Sequence, residues 1–293
     1  MNTLFCSAAF TTEGLTPERI VEELKHLPSA PKVLPRLKRL LVDGNSSMEE
    51  IVALIRIDPG IAARVLQVGN SAYFGNSVRC RSVDEAVIRV GYDEIYNLVS
   101  YAVASQVLER PLAVYGLESE DLWRQSVACA IAAELVAVHS GEDVSVAYTI
   151  GLLHGIGMVA IDEWALRHGP TLMFTWQKFP KEYANSERAL IGFTQAEVGS
   201  TLLRMWGFPA EMSEPFRWQY APGGAGGHAR MTCVMIAAKW LRTAACSPVG
   251  APLPAFPDDA VLKRLHLTTR QLTNYVGGVR AQLGVLDCQL AAA

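Results

Sequence analysis

A chain of 293 residues, 50% hydrophobic and 19% charged, can hold one large domain or two ordinary ones with a real core, which excludes extensive disorder. Its 26 Lys and Arg against 29 Asp and Glu give a formal net charge of −3, so no global attraction to nucleic acid or anionic membrane is built in. The six cysteines, at 6, 80, 129, 233, 246 and 288, form no Cys-x-x-Cys pair, which speaks against a zinc ribbon or a disulfide frame and for reduced thiols in a cytosolic protein.

Met1 to Phe10 is mildly apolar, but no Lys or Arg precedes it and Ser7 interrupts it, so it reads as a loosely docked tail and the expected location is the cytoplasm. From Thr16 the pattern is helix after helix. Thr16 and Pro17 suit a cap and a first helical position ahead of Ile20, Val21 and Leu24. After the break at Leu27–Pro31, a second helix is expected through Val33, Leu34, Leu37, Leu40 and Leu41. Lys32, Arg36 and Arg39 share one face of it, either as an ordinary solvated face or as a phosphate contact. Ser47-x-x-Glu50 and Ser82-x-x-Glu85 are capping boxes, Asp58-Pro59 starts a further helix, and Gly91 can close one in the left-handed conformation. In Asn70-Ser71-Ala72-Tyr73-Phe74-Gly75, Asn70 and Ser71 can end a helix, Tyr73 and Phe74 can anchor the turn, and Gly75 can take positive φ.

Farther along, Leu122 to Val138 is a rich apolar helix closed by Ser140-Gly141. Tyr148 to Ile161 is almost uniformly apolar and reads as one buried core helix or strand, with glycines at 151, 155 and 157 and one side chain that titrates near neutral pH, His154. A lone histidine there is either a satisfied core residue or a ligand. Further helices are expected over Ala196–Met205 and Met231–Ala244, with Pro222–Gly227 between them as a flexible surface loop. Pro248–Pro257 reads as a semi-rigid linker to helices through Val261, Leu262, Leu265 and Leu267, and then past Leu272, Tyr275 and Val276. Short helices with short connections imply a compact bundle, and no serine, cysteine or glycine-rich stretch stands in a catalytic or nucleotide-binding context.

Gly151-Leu152-Leu153-His154-Gly155-Ile156-Gly157 resembles the Gly-Leu-Leu-His-Asp-Ile-Gly signature of HD-superfamily phosphohydrolases, with Gly155 at the metal-binding Asp. Asn70–Gly75 is similar to the corresponding element of the HDOD family, relatives of the HD enzymes. Leu27–Pro31, Ile57-Asp58-Pro59, Leu122–Ser126, Gly192–Gly199 and Trp206–Pro209 follow the same pattern in the same order, so the resemblance covers about residues 20–218.

The resemblance implies an all-α, multi-helix bundle, an amino-terminal helical lobe (16–112) packed on a degenerate HD-like lobe (113–245), after a tail (1–15) and before a Pro-rich linker with carboxy-terminal helices (246–293). It also implies where an HD enzyme would hold its metal. Gln125 stands at the first His, His154 survives, Gly155 replaces the Asp, Lys239 replaces the distal Asp, and Gln195 and Gln219-Tyr220 stand where relatives often carry histidines. An amide, an absent side chain and an ammonium cannot replace imidazole and carboxylates around a dication, so no metal, no cofactor and no catalysis are expected. Lys239 is expected either to place its head beside Gln125 and His154 or to snorkel to solvent. The implied function is signalling or regulation through a protein partner, or through a small ligand in the vestigial pocket, with self-association open. The alternatives are a metal-dependent phosphohydrolase or cyclic-nucleotide phosphodiesterase, and a nucleic-acid-binding regulator.

Overall fold

The computed structural model describes residues 14–23, 40, 46–71, 78–91, 94–95, 111–168 and 180–291. Apart from Leu40, which is helical, the expected helix over Val33–Leu41 lies outside these residues, as do the Lys32/Arg36/Arg39 face and the expected Tyr73-Phe74-Gly75 turn. The described architecture is all-α, and its only β feature is an isolated antiparallel bridge between Leu112 and Leu117.

Local signals set the first helices. Helix α1 (Pro17–Glu22) has Thr16 Oγ1 accepting from the Arg19 N–H at 3.3 Å. In α2 (Met48–Arg56) the Ser47–Glu50 capping box is complete, and α3 (Pro59–Gly69) is capped by Asp58, whose Oδ1 accepts from the Ile61 N–H at 2.9 Å. Helix α4 (Val83–Val90) carries only half of the expected box: Ser82 Oγ accepts from the Glu85 N–H, but Glu85 Oε2 reaches past the cap to the Arg81 N–H at 2.8 Å. Gly91 does take positive φ (79°), yet with ψ 168°, so it leaves the helix extended rather than left-handed. Asn70 ends α3 and holds the chain at Cys80, its Oδ1 accepting from the Cys80 N–H at 2.7 Å.

Helix α5 (Ser119–Ser140) is closed by Gly141 at φ 70°, ψ 28°. The apolar stretch that follows is not one element. It is α6 (Val144–Leu152) and α7 (Ile156–His168), separated by a turn at Leu153–Gly155 where His154 N–H reaches Gly151 O and Ile156 N–H reaches Leu153 O, both three residues back. Val144–His168 is apolar and long enough to pass for a membrane span, but 89% of its most apolar window is buried, as in the core of a folded domain. A Cβ on Gly151 would stand 2.8 Å from the Cys129 carbonyl, so α6 lies directly on α5 because that side chain is missing.

The amino-terminal helices dock on this core through specific bonds. Trp123 Nε1 donates to the Ile57 carbonyl at 2.7 Å and Tyr148 Oη to the Arg56 carbonyl at 3.0 Å, with the Arg56 guanidinium 4.2 Å from the Tyr148 ring centroid. Two helices had no apolar stripe to announce them, α8 (Pro180–Ile191) and α10 (Ala210–Arg217). Between them runs α9 (Gln195–Met205), whose Thr194 and Glu197 form a capping box. Pro222–Gly227, expected as a flexible loop, falls in two short 3-10 turns (Pro222–Gly224 and Gly226–His228), and Gly224 sits so close under Trp218 that a Cβ would be 2.2 Å from the indole. Helix α11 (Ala229–Cys246) runs through the core against α5, α6 and α10. The carboxy-terminal α12 (Asp259–Leu265) and α13 (Thr269–Ala291) pack on α11 and α5, burying Leu262, Leu265, Leu272, Val279 and Leu283. Cys80, Cys129, Cys233 and Cys246 are free thiols.

Candidate functional site

The site lies where the α6–α7 turn, the start of α9, the end of α10 and the middle of α11 converge. The turn presents His154, which is 2% exposed. Its Nδ1 lies 2.9 Å from the Gly151 carbonyl. A carbonyl only accepts, so Nδ1 carries the proton and Nε2 is left as a bare lone pair. That lone pair is the ring's one remaining place for a metal, and here it accepts from Arg242 Nη1 at 2.7 Å. Burial, then the charges of Arg242 and Lys239, hold the His154 pKa well below 6.5, so the ring stays neutral.

Three residues before Arg242 on α11, Lys239 is 3% exposed. The two residues face the same way because helical positions three apart are neighbours. Lys239 Nζ donates to Gln219 Oε1 at 2.6 Å and lies 3.8 Å from the Tyr220 ring centroid. Gln219 is oriented for this, since its Nε2 donates to the Phe216 carbonyl at 3.0 Å. Burial, then the Arg242 charge, push the Lys239 pKa well below 10.5, opposed by Cys129 and Glu187. The salt bridges formed among the described residues include neither Lys239 nor Arg242.

Lys239 therefore does not snorkel to solvent; its head, expected beside Gln125 and His154, bonds Gln219 instead. The partner of His154 is Arg242, whose longer side chain reaches the ring, while the Lys239 head turns to Gln219 and Tyr220. Gln125 is half-buried on α5. Gly155, on the turn itself, leaves its side-chain position to Leu122, whose Cδ1 would be 3.1 Å from an added Cβ. Gln195 is brought in from α9, its Nε2 donating to Tyr220 Oη at 2.9 Å. Asn70 and Ser71 belong to the α3 end described above, away from this cluster.

Glu187 of α8 completes the cluster and is fully buried. Its Oε2 accepts from the Gln195 N–H at 2.7 Å and its Oε1 from Tyr115 Oη at 3.0 Å. Burial raises its pKa to about 7 against these two bonds and the Lys239 charge. Glu187, Tyr115 and Arg242 were not among the residues that the sequence singled out. One signal was available for Arg242: two cations three apart on an otherwise apolar helix.

These residues do not fit a divalent metal. The imidazole lone pair is bonded to a guanidinium, the neighbouring position has no carboxylate, and an amine and an amide stand at the remaining places. Among the described residues no group of three His, Cys, Asp or Glu is arranged to hold a metal ion.

The family model of the HDOD domain matches residues 27–222, more than half of the chain. An uncharacterized protein of Treponema pallidum (strain Nichols) is 28% identical over 207 residues, 69% of this chain but 39% of that protein, so the chain spans well under half of that relative's length. Among solved structures, the MmoQ response regulator of Methylococcus capsulatus aligns with a TM-score of 0.63 at 20% identity, covering 87% of this chain and 99% of that one. A virulence factor of Campylobacter jejuni aligns with a TM-score of 0.64 at 20% identity, covering 77% and 82%. Both structural likenesses concern the fold.

Proposed function

Because the chain belongs to the HDOD family, we propose that it is a non-catalytic signalling or regulatory protein, working in the cytoplasm through contacts with a protein partner. One observation carries the non-catalytic part: Arg242 Nη1 sits 2.7 Å from the imidazole nitrogen that a hydrolase would offer to metal. A guanidinium keeps its charge at any physiological pH, so a dication approaching His154 meets both a blocked lone pair and repulsion. The site keeps the HD-like framework of helices while a fixed organic cation replaces the exchangeable one. Such a pocket serves as a rigid structural centre, and signalling then falls to the surface. The description of the Methylococcus relative as a response regulator supports that reading.

Elemental analysis of the purified chain, paired with assays on phosphomonoesters, cyclic nucleotides and cyclic dinucleotides, tests it. The expected result is metal far below one atom per chain and no hydrolysis. Near-stoichiometric iron, manganese or nickel, with hydrolysis abolished by His154→Ala, would establish a metal-dependent phosphohydrolase instead.

A further inference from the structure

A cavity of about 200 Å³ opens between α11 and the Pro-rich segment leading to α12. Lys239 and Gln219 lie on its wall, with the flat side chains of Tyr220, Trp240 and Phe256 around them. Trp240 and Phe256 stack at 4.8 Å between ring centroids, and Trp240 Nε1 donates to the Pro254 carbonyl at 3.2 Å, so the segment is held against α11 by more than apolar contact. Lys239, Arg242 and this segment lie beyond residues 27–222, whereas Gln219 and Tyr220 lie within them, so the cavity forms where this chain's continuation meets the family domain.

Two features restrict what it can take. The first is charge. Lys239 is 3% exposed, lines the cavity, and has an amide oxygen and an aromatic face as partners; no carboxylate of the described residues lies within salt-bridge distance, and the buried Glu187 acts on it only from farther away. A buried ammonium left without a counter-charge is costly, and an anion entering the cavity would supply it. Asp258 also lines the cavity, but it is exposed, where water screens it, whereas Lys239 is buried. The second is size and shape. An apolar cavity of roughly 150 Å³ binds benzene, and drug-sized ligands need roughly 300 Å³ or more. A space of about 200 Å³ walled by three aromatic rings fits one planar ring with one small anionic substituent.

We propose that this cavity is a binding site for a small aromatic carboxylate of about one ring, its carboxylate paired with Lys239 and its ring set among Tyr220, Trp240 and Phe256. The proposal shares Lys239 and Gln219 with the site that holds no metal and rests on that reading, because a metal chelated there would compete for the same carboxylate. It makes the cavity a place where a metabolite could tune the protein's surface contacts through the Pro-rich segment.

Calorimetric titration of the intact chain with benzoate, benzamide and inorganic phosphate tests it, with metal content measured on the same sample. Benzoate should bind saturably at one site, with benzamide and inorganic phosphate each at least about tenfold weaker, since one lacks the charge and the other the ring. Lys239→Met should weaken benzoate by about tenfold or more, and Phe256→Ala, at a side chain already 41% exposed, by about threefold or more. No saturable benzoate binding up to about 10 mM, or equal binding of benzamide or phosphate, overturns the proposal on the unmodified chain without recourse to any variant. Such a failure in metal-free protein would leave the non-catalytic reading standing, whereas stoichiometric metal would remove that reading independently.

Discussion

Burial of ionisable side chains without ion pairs is the unusual feature of this protein at the scale of single residues. His154 is handled by tautomer choice: the Gly151 carbonyl fixes the proton on Nδ1, and the Arg242 guanidinium then finds an acceptor in Nε2. Glu187 is handled by two donors, Tyr115 Oη and the Gln195 N–H, yet burial still lifts it to about 7. Between its ordinary value of 4.5 and about 7 the folded chain holds this proton while the unfolded chain has lost it. Stability from this group therefore falls as pH rises through that window and is level above it. Glu187→Gln removes the titration, so urea unfolding should show the variant gaining about 3 kcal/mol on the unmodified chain between pH 4.5 and about pH 8. A gap between the two that does not change with pH would contradict this. The family pattern led to His154, Gly155 and Lys239, whereas Arg242 and Glu187 stayed hidden. Partners on different helices are joined only by tertiary packing, and neither residue occupies a place where the family's ligands stand.

Element boundaries were legible wherever a side chain makes them. Thr16, Ser47, Asp58 and Gly141 each cap or close a helix through a bond or a dihedral that their own chemistry dictates. The break between α6 and α7 was not legible, because Leu152, Leu153 and Ile156 are as apolar as a continuous helix would be, and the i,i+3 turn at His154 is selected by packing. The glycines around that break are not equivalent. A Cβ on Gly157 would fall 1.9 Å from the Gln195 carbonyl oxygen and 2.9 Å from the Gly199 nitrogen, both backbone atoms that cannot yield without parting α7 from α9. At Gly155 the nearest atom is the terminal Cδ1 of Leu122, 3.1 Å away on a side chain that can rotate. Gly157→Ala should therefore cost about 3 kcal/mol or more, and Gly155→Ala less than about 1 kcal/mol, in thermal or urea unfolding. Equal effects at the two positions would mean that the close crossing of α7 and α9 is not what Gly157 secures.

Across the whole molecule, the carboxy-terminal helices are part of the structure that holds the site. Arg280 of α13 donates to the Ala244 and Ser247 carbonyls through Nη2, both at 2.9 Å, and to Ala245 through Nε at 3.1 Å. These are the orphan acceptors at the end of α11, the helix that carries Lys239 and Arg242. Arg280→Ala should cost about 1–3 kcal/mol, measurable as a lower unfolding midpoint, and no change in the midpoint would show that water replaces the three bonds without loss. The all-α class was legible from periodicity and capping, while the way the tail grips α11 was not, since Arg280 looks like any surface cation in an amphipathic helix. On the proposed non-catalytic reading a guanidinium holds the place of the metal, and the His154 ring reports it directly. In long-range proton–nitrogen NMR correlation from about pH 5.5 to about pH 8, with and without excess Zn²⁺, the account predicts a neutral ring throughout, Nδ1 protonated and Nε2 bare, unmoved by the metal. A ring that titrates near 6.5, or an Nε2 resonance that shifts to a metal-bound position when Zn²⁺ is added, would contradict it.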